Sequence, residues 1–115
     1  MFLNRTFLTI GLSLALTGCI KQPEACLKAD KTVAAVNETI TVTSCSSDAA
    51  RFLWTSDKAT IVSGGDFCSP SVSLKYASPG TYTVNLDVSN YRGKADCNST
   101  GTNKSDNASI TITVQ

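Results

Sequence analysis

Histidine is missing from the 115-residue chain, tryptophan and methionine occur once each, and proline only three times. Without histidine there is no imidazole for Ser-His or Cys-His nucleophile pairs. The commonest general base and the commonest metal ligand are lost with it. Charge bias is missing too: ten basic residues face nine acidic ones, interspersed along the chain. No basic stripe exists to draw phosphate backbones, which argues against nucleic acid as a partner. The longest apolar run, Phe7 to Leu16, is too short for a spanning helix, which needs about 20 apolar residues to cross about 30 Å of hydrocarbon. No stretch keeps helical periodicity over two turns, and no internal repeat is visible.

What is present begins with the N-terminus. Arg5 precedes the run Phe7 to Leu16, and small residues follow, which is the layout of a secretory signal. The signal ends in Leu16-Thr17-Gly18-Cys19, an aliphatic residue and two small ones before a cysteine. This segment resembles the lipobox of bacterial lipoproteins. The resemblance implies removal of residues 1–18, a diacylglycerol thioether on Cys19 and acylation of its new amino group. Each buried methylene contributes about 0.8 kcal/mol, so two or three acyl chains make release negligible. Residues 19–25 read as a lipidated tether, with Pro23 discouraging helix. Ile20 rather than aspartate follows Cys19, which for such lipoproteins implies the outer membrane of a two-membrane envelope.

Removing residues 1–18 leaves 97, enough for one domain over residues 26–115. Alternation of apolar and polar residues dominates it. Val33 and Val36 flank a weak first strand, and Thr39 to Thr43 puts Ile40 and Val42 on one face. Phe52 and Trp54 share a face, and Thr60-Ile61-Val62 reads as a short edge strand before the turn Ser63 to Asp66. Val72, Leu74 and Tyr76 alternate up to Ser78-Pro79-Gly80, where proline sets a bend and glycine permits positive φ. Tyr82, Val84, Leu86 and Val88 form the longest alternating run, and Ile110, Ile112 and Val114 the last. Between these two runs Ser89 to Asn107 reads as a long polar loop. The pattern predicts an all-β, antiparallel sandwich of six to seven strands.

From about Ala25 to Gln115 the chain resembles a PKD-type domain, an immunoglobulin-like sandwich common in bacterial surface proteins. The resemblance rests on Asn37-Glu38-Thr39-Ile40-Thr41-Val42, Trp54, Tyr76, Pro79-Gly80-Thr81-Tyr82-Thr83-Val84 and Ile110 to Val114. It places Gly80 and Tyr82 at a corner where a tyrosine can bury its ring and return its hydroxyl to backbone. The family's Trp-Asp-Phe-Gly-Asp-Gly turn is absent, for Trp54 is followed by Thr55-Ser56-Asp57-Lys58. A calcium or sugar role for that turn loses its residues.

Cys26, Cys45, Cys68 and Cys97 remain once Cys19 is assigned to lipid, and an even count in an exported chain predicts two disulfides. No Cys-x-x-Cys pair occurs, so zinc and dithiol redox chemistry lack their usual spacing. Four cysteines permit three pairings. All four positions fall at one end of the expected sandwich, which favours Cys26–Cys45 with Cys68–Cys97. Cys45–Cys68 with Cys26–Cys97 is the rival.

Trp54 offers a ring for sugar stacking, but its alternation with Phe52 assigns it to the core. Asp57, Asp66, Asp96 and Asp106 are scattered, whereas calcium needs six to eight oxygens from a compact loop. No carboxylate pair stands out for glycoside hydrolysis. The sequence therefore predicts no enzyme, no metal and no cofactor. The candidate contact surface is the long loop, with Tyr91, Arg92, Asn98, Thr100, Asn103 and Lys104 as its exposed polar and aromatic groups. The expected function is a lipid-anchored binding or adhesion module of the bacterial cell envelope, recognising a protein or glycan. An inhibitor of a secreted hydrolase and a structural subunit of an envelope assembly are the alternatives.

Overall fold

The computed structural model describes residues 22–90, Cys97 and 104–115. Period-two alternation of valine, isoleucine and leucine produces eight strands here. They are β1 (Leu27–Ala29), β2 (Val33–Ala34), β3 (Ile40–Ser44), β4 (Arg51–Ser56), β5 (Ala59–Gly64), β6 (Ser71–Tyr76), β7 (Gly80–Asn90) and β8 (Lys104–Val114). One sheet has the order β1-β3-β6-β5, the other β2-β8-β7-β4. All pairs are antiparallel except β2 with β8, which is parallel. Two four-stranded sheets in this order form an immunoglobulin-like sandwich.

The first strand explains why there are eight strands rather than six to seven. It is split: β1 pairs with β3 in one sheet, and after residues 30–32 the chain crosses over as β2 to pair with β8 in the other. The weak strand expected between Val33 and Val36 is only Val33–Ala34, with Val36 in the following turn, and β1 has too little apolar material to show alternation; of β2 only Ala34 enters the core. The β7–β8 hairpin also runs further than the pattern predicts. Val88 faces Asp106 and Asn90 faces Lys104, so part of the expected loop 89–107 is paired strand. Ser105, Asp106 and Asn107 are exposed, and a ladder that extends past the core shows no hydrophobic period.

Apart from Ala34 of β2, the core is formed by the inward faces of five strands. Ile40 and Val42 of β3, Val72, Leu74 and Tyr76 of β6, Trp54 of β4, Val84, Leu86 and Val88 of β7, and Ile112 and Val114 of β8 are all buried. Each such aliphatic side chain contributes about 1.5–3 kcal/mol on full burial. Trp54 lies in this core and donates its indole N–H to the Ser69 carbonyl at 3.0 Å.

Antiparallel pairing sorts the connections onto two ends. The start of β1, the β3–β4 and β5–β6 connections and the Asn90–Lys104 end of the β7–β8 pair lie at one end, which carries the cysteines. The β2–β3, β4–β5 and β6–β7 turns and Gln115 lie at the other. At this second end Tyr82 stacks on Tyr76 with centroids 4.1 Å apart and donates its hydroxyl to the Ser78 carbonyl at 2.7 Å. Gly80 lets the Tyr82 ring pack closely on the backbone, since a Cβ there would stand 3.2 Å from the ring and hydroxyl and crowd them. Tyr76 hydrogen-bonds Ser56 Oγ, whose own proton goes to the Thr83 carbonyl at 2.9 Å. Burial pushes the Tyr76 phenol above its ordinary pKa.

Candidate functional site

The cysteine-bearing end is built from segments too polar to pack on one another. Along Cys45 to Ala50 small residues outnumber apolar ones, so hydrogen bonds hold the segment. Cys45 N donates to the Cys26 carbonyl at 2.9 Å, Ser46 Oγ accepts from Cys26 N at 2.9 Å, and Asn90 Nδ2 donates to the Asp48 carbonyl at 3.3 Å. The Cys26–Cys45 disulfide closes this corner, with Cα atoms 4.8 Å apart.

The β5–β6 connection follows a different local rule. Gly64 has φ of 73°, and a Cβ there would lie 2.4 Å from the Ser71 carbonyl oxygen, so only glycine fits. Asp66 then caps the turn: its Oδ1 accepts from Cys68 N and from Ser69 Oγ, each at 2.9 Å. That turn aims Cys68 at Cys97, and their disulfide ties the β5–β6 connection to the β7–β8 connection in the other sheet. The same segment covers the β4 edge, where Phe52 N donates to the Phe67 carbonyl at 3.0 Å.

The N-terminal segment is docked at this end as well. Residues 22–25 read as tether from the sequence, but Pro23 is fully buried and Glu24 exchanges both backbone hydrogen bonds with Ser47 at 3.1 Å. Gln22 Nε2 donates to the Ser105 carbonyl at 2.6 Å, and Ala25 N donates to Asp106 Oδ2 at 2.9 Å.

Between β4, β7 and the β5–β6 connection lies a groove of about 300 Å³, lined by Arg51, Leu53, Phe67, Asp87, Ser89 and Ser105. The Arg51 guanidinium stacks over the Phe67 ring at 4.1 Å, and Leu53 and Phe67 are exposed. Arg51 Nε is buried without a hydrogen-bond partner among the described residues. An apolar floor, one cation, one carboxylate and two hydroxyls suit a binding surface. Sequence reasoning missed this groove. Its signal was Leu53, an apolar residue on the outward side of a strand whose Phe52 and Trp54 face inward.

Of the expected site residues, Cys26, Cys45, Cys68 and Cys97 form the two disulfides just described. Lys104 is the first residue of β8 and is exposed. Cys19, Tyr91, Arg92, Asn98, Thr100 and Asn103 lie outside the described residues. Among the described residues no group of three or more Cys, Asp or Glu side chains is placed to hold a metal ion. Shifted ionisations concern the opposite end. There the Ala35 amide and then Lys31 Nζ hold the Glu38 carboxyl below the usual carboxylate range, and Glu38 in turn raises Lys31.

Comparison with known proteins adds the family. The model of the PKD domain matches residues 24–103, most of the described body. No curated protein matches the chain closely enough to count as a relative.

Proposed function

Since the chain belongs to the PKD domain family, a family of non-catalytic immunoglobulin-like modules, we propose that it is a binding or adhesion module carried on a lipid anchor in the bacterial cell envelope. The observation that carries this reading is the short distance in sequence between a lipobox-like cysteine and a folded module. Leu16-Thr17-Gly18-Cys19 closes a signal-like segment, and Gln22 is already docked on the sandwich. Ile20 after Cys19 supports the outer membrane as its destination. Sandwich turns and connections supply the recognition surface, and the partner is a protein or a glycan.

The experiment is mass spectrometry of the N-terminal peptide from native cells, paired with fractionation of a Cys19→Ser variant. The expected peptide begins at Cys19 with a diacylglyceryl thioether, and the variant moves from membrane to soluble fractions. A peptide running from Met1 through an unmodified Cys19 refutes the reading. Stoichiometric inhibition in a panel of lysozyme and protease assays would assign the module instead to hydrolase inhibition.

A further inference from the structure

The anchor and the sandwich together set an orientation, because the structure shows where the chain enters the fold. Glu24 is paired with Ser47 on the β3–β4 connection, while Gln22 and Ala25 are bonded to Ser105 and Asp106 at the start of β8. The chain therefore arrives at the cysteine-bearing end and is fixed there on two sides. Cys19 lies three residues before Gln22, and three residues span at most about 11 Å even when fully extended. The headgroup layer of one leaflet is itself roughly 5–7 Å thick. Little slack remains for the domain to turn over.

We propose that, when Cys19 is acylated, the cysteine-bearing end rests against the phospholipid headgroups and the opposite end faces away from the membrane. This rests on the anchor reading above and adds which surface the membrane occupies. Phe67 is the group that enters the interface: it is 40% exposed on the β5–β6 connection of that end. Arg51, whose guanidinium lies over that ring at 4.1 Å, places a cation beside it for phosphate oxygens. Glu24, Asp48, Asp66 and Asp106 share this end, so its charge is mixed and does not drive adsorption. The tether does, by making a weak contact intramolecular. Recognition of anything beyond the membrane then belongs to the turns 35–38, 57–58 and 77–80.

The test places the photocrosslinker p-benzoylphenylalanine at Phe67 or Ser47, and for comparison at Lys58 or Ser78, in full-length protein processed in native cells. All four positions are exposed, and melting profiles that overlay the parent protein establish that each variant is folded. Lipid adducts at 67 and 47 are expected to exceed those at 58 and 78 by roughly tenfold or more, because the 11-residue β7 separates the ends by about 35 Å. Equal lipid yields at both ends, or purely protein adducts at 67 and 47 in protein whose Cys19 is acylated, overturn the orientation while leaving the anchor. An unacylated Cys19 in the same preparation overturns the anchor and the orientation with it. Soluble Cys19→Ser protein is expected not to bind vesicles, and tight vesicle binding by it contradicts the tether as the driving force.

Discussion

The two ends of the sandwich solve the same problem with different chemistry. Both must hold turns against a core that stops short of them. At the cysteine-bearing end the strands finish in Ser44, Ser71, Asn90 and Lys104, so little apolar surface is left to bury. Two disulfides, the Asp66 turn and the docked N-terminal segment hold it instead. At the opposite end no cysteine occurs among the described residues. Tyr76 and Tyr82 stack, Ser56 links Tyr76 to β7, and Glu38 closes the β2–β3 turn by accepting from the Ala35 amide at 2.8 Å. Covalent bonds appear where side-chain burial runs out. A domain this small buries only about two-thirds of its unfolded surface, so neither device is dispensable.

The comparison breaks most readily at the aromatic end. Tyr76→Ala removes a fully buried ring, its stack on Tyr82 and the Ser56 link together. The expected loss is about 3–5 kcal/mol in urea unfolding, with the pairing of the opposite disulfides unchanged. A loss below about 1 kcal/mol would mean the aromatic pair does not clamp that end. The disulfide end comes next. Cross-links spanning 19 and 29 residues restrict the unfolded chain by about 3.2 and about 3.6 kcal/mol. Replacing Cys68 and Cys97 by serine is therefore expected to cost slightly more than replacing Cys26 and Cys45. Hydrogen exchange after reduction should open amides of 45–50 and 65–70 before those of 35–38. Simultaneous opening of both ends would show that the two devices act as one.

These differences explain which parts were legible in the sequence. Core strands announce themselves because one face is buried: Ile40 and Val42, Val72 to Tyr76, and Tyr82 to Val88 all sit where alternation puts them. The tyrosine corner was legible too, through the family resemblance carried by Pro79-Gly80-Thr81-Tyr82, and Tyr82 does return its hydroxyl to the Ser78 carbonyl. Features outside the core left no such mark. The strand switch at 30–32 and the polar extension of the β7–β8 hairpin bury almost nothing, so no period reveals them. The docking of Gln22 to Ala25 depends on contacts with residues more than 80 positions away, which no local pattern encodes. The groove beside Arg51 needs four separate segments to be assembled before it exists.

Alkaline pH sharpens the comparison further. Burial keeps the Tyr76 proton in the folded chain to higher pH than in the unfolded one. Stability from this group is full below about pH 10 and drains away as pH rises past it, because the unfolded chain gives up the proton first. Lys31, held protonated by Glu38, loses its pairing in a similar range, so the raw alkaline limb mixes the two. The difference between wild type and a Tyr76→Phe variant isolates the phenol. It is expected to narrow as pH rises above about 10, with the variant showing the shallower limb in urea titrations. Parallel limbs would mean that the Tyr76 hydroxyl is not protected in the fold.

The smallest effect is expected from Glu38 at acid pH, and it tests whether the β2–β3 turn belongs to the same noncovalent device. The folded carboxylate accepts from the Ala35 amide and pairs with Lys31 at 3.0 Å, so it stays ionised to lower pH than in the unfolded chain. Its contribution is therefore complete above about pH 4.5 and is lost as pH falls through the depressed folded value. Glu38→Gln keeps an oxygen for the Ala35 amide but removes the charge, so its stability below about pH 4 should converge on that of the wild type. The pair is exposed and screened by salt, so added NaCl at neutral pH should shrink the gap between the two proteins. A gap that persists unchanged from about pH 3 to about pH 7 would place the role of Glu38 in its shape rather than its charge, and would leave the tyrosine stack as the sole pH-sensitive part of that end.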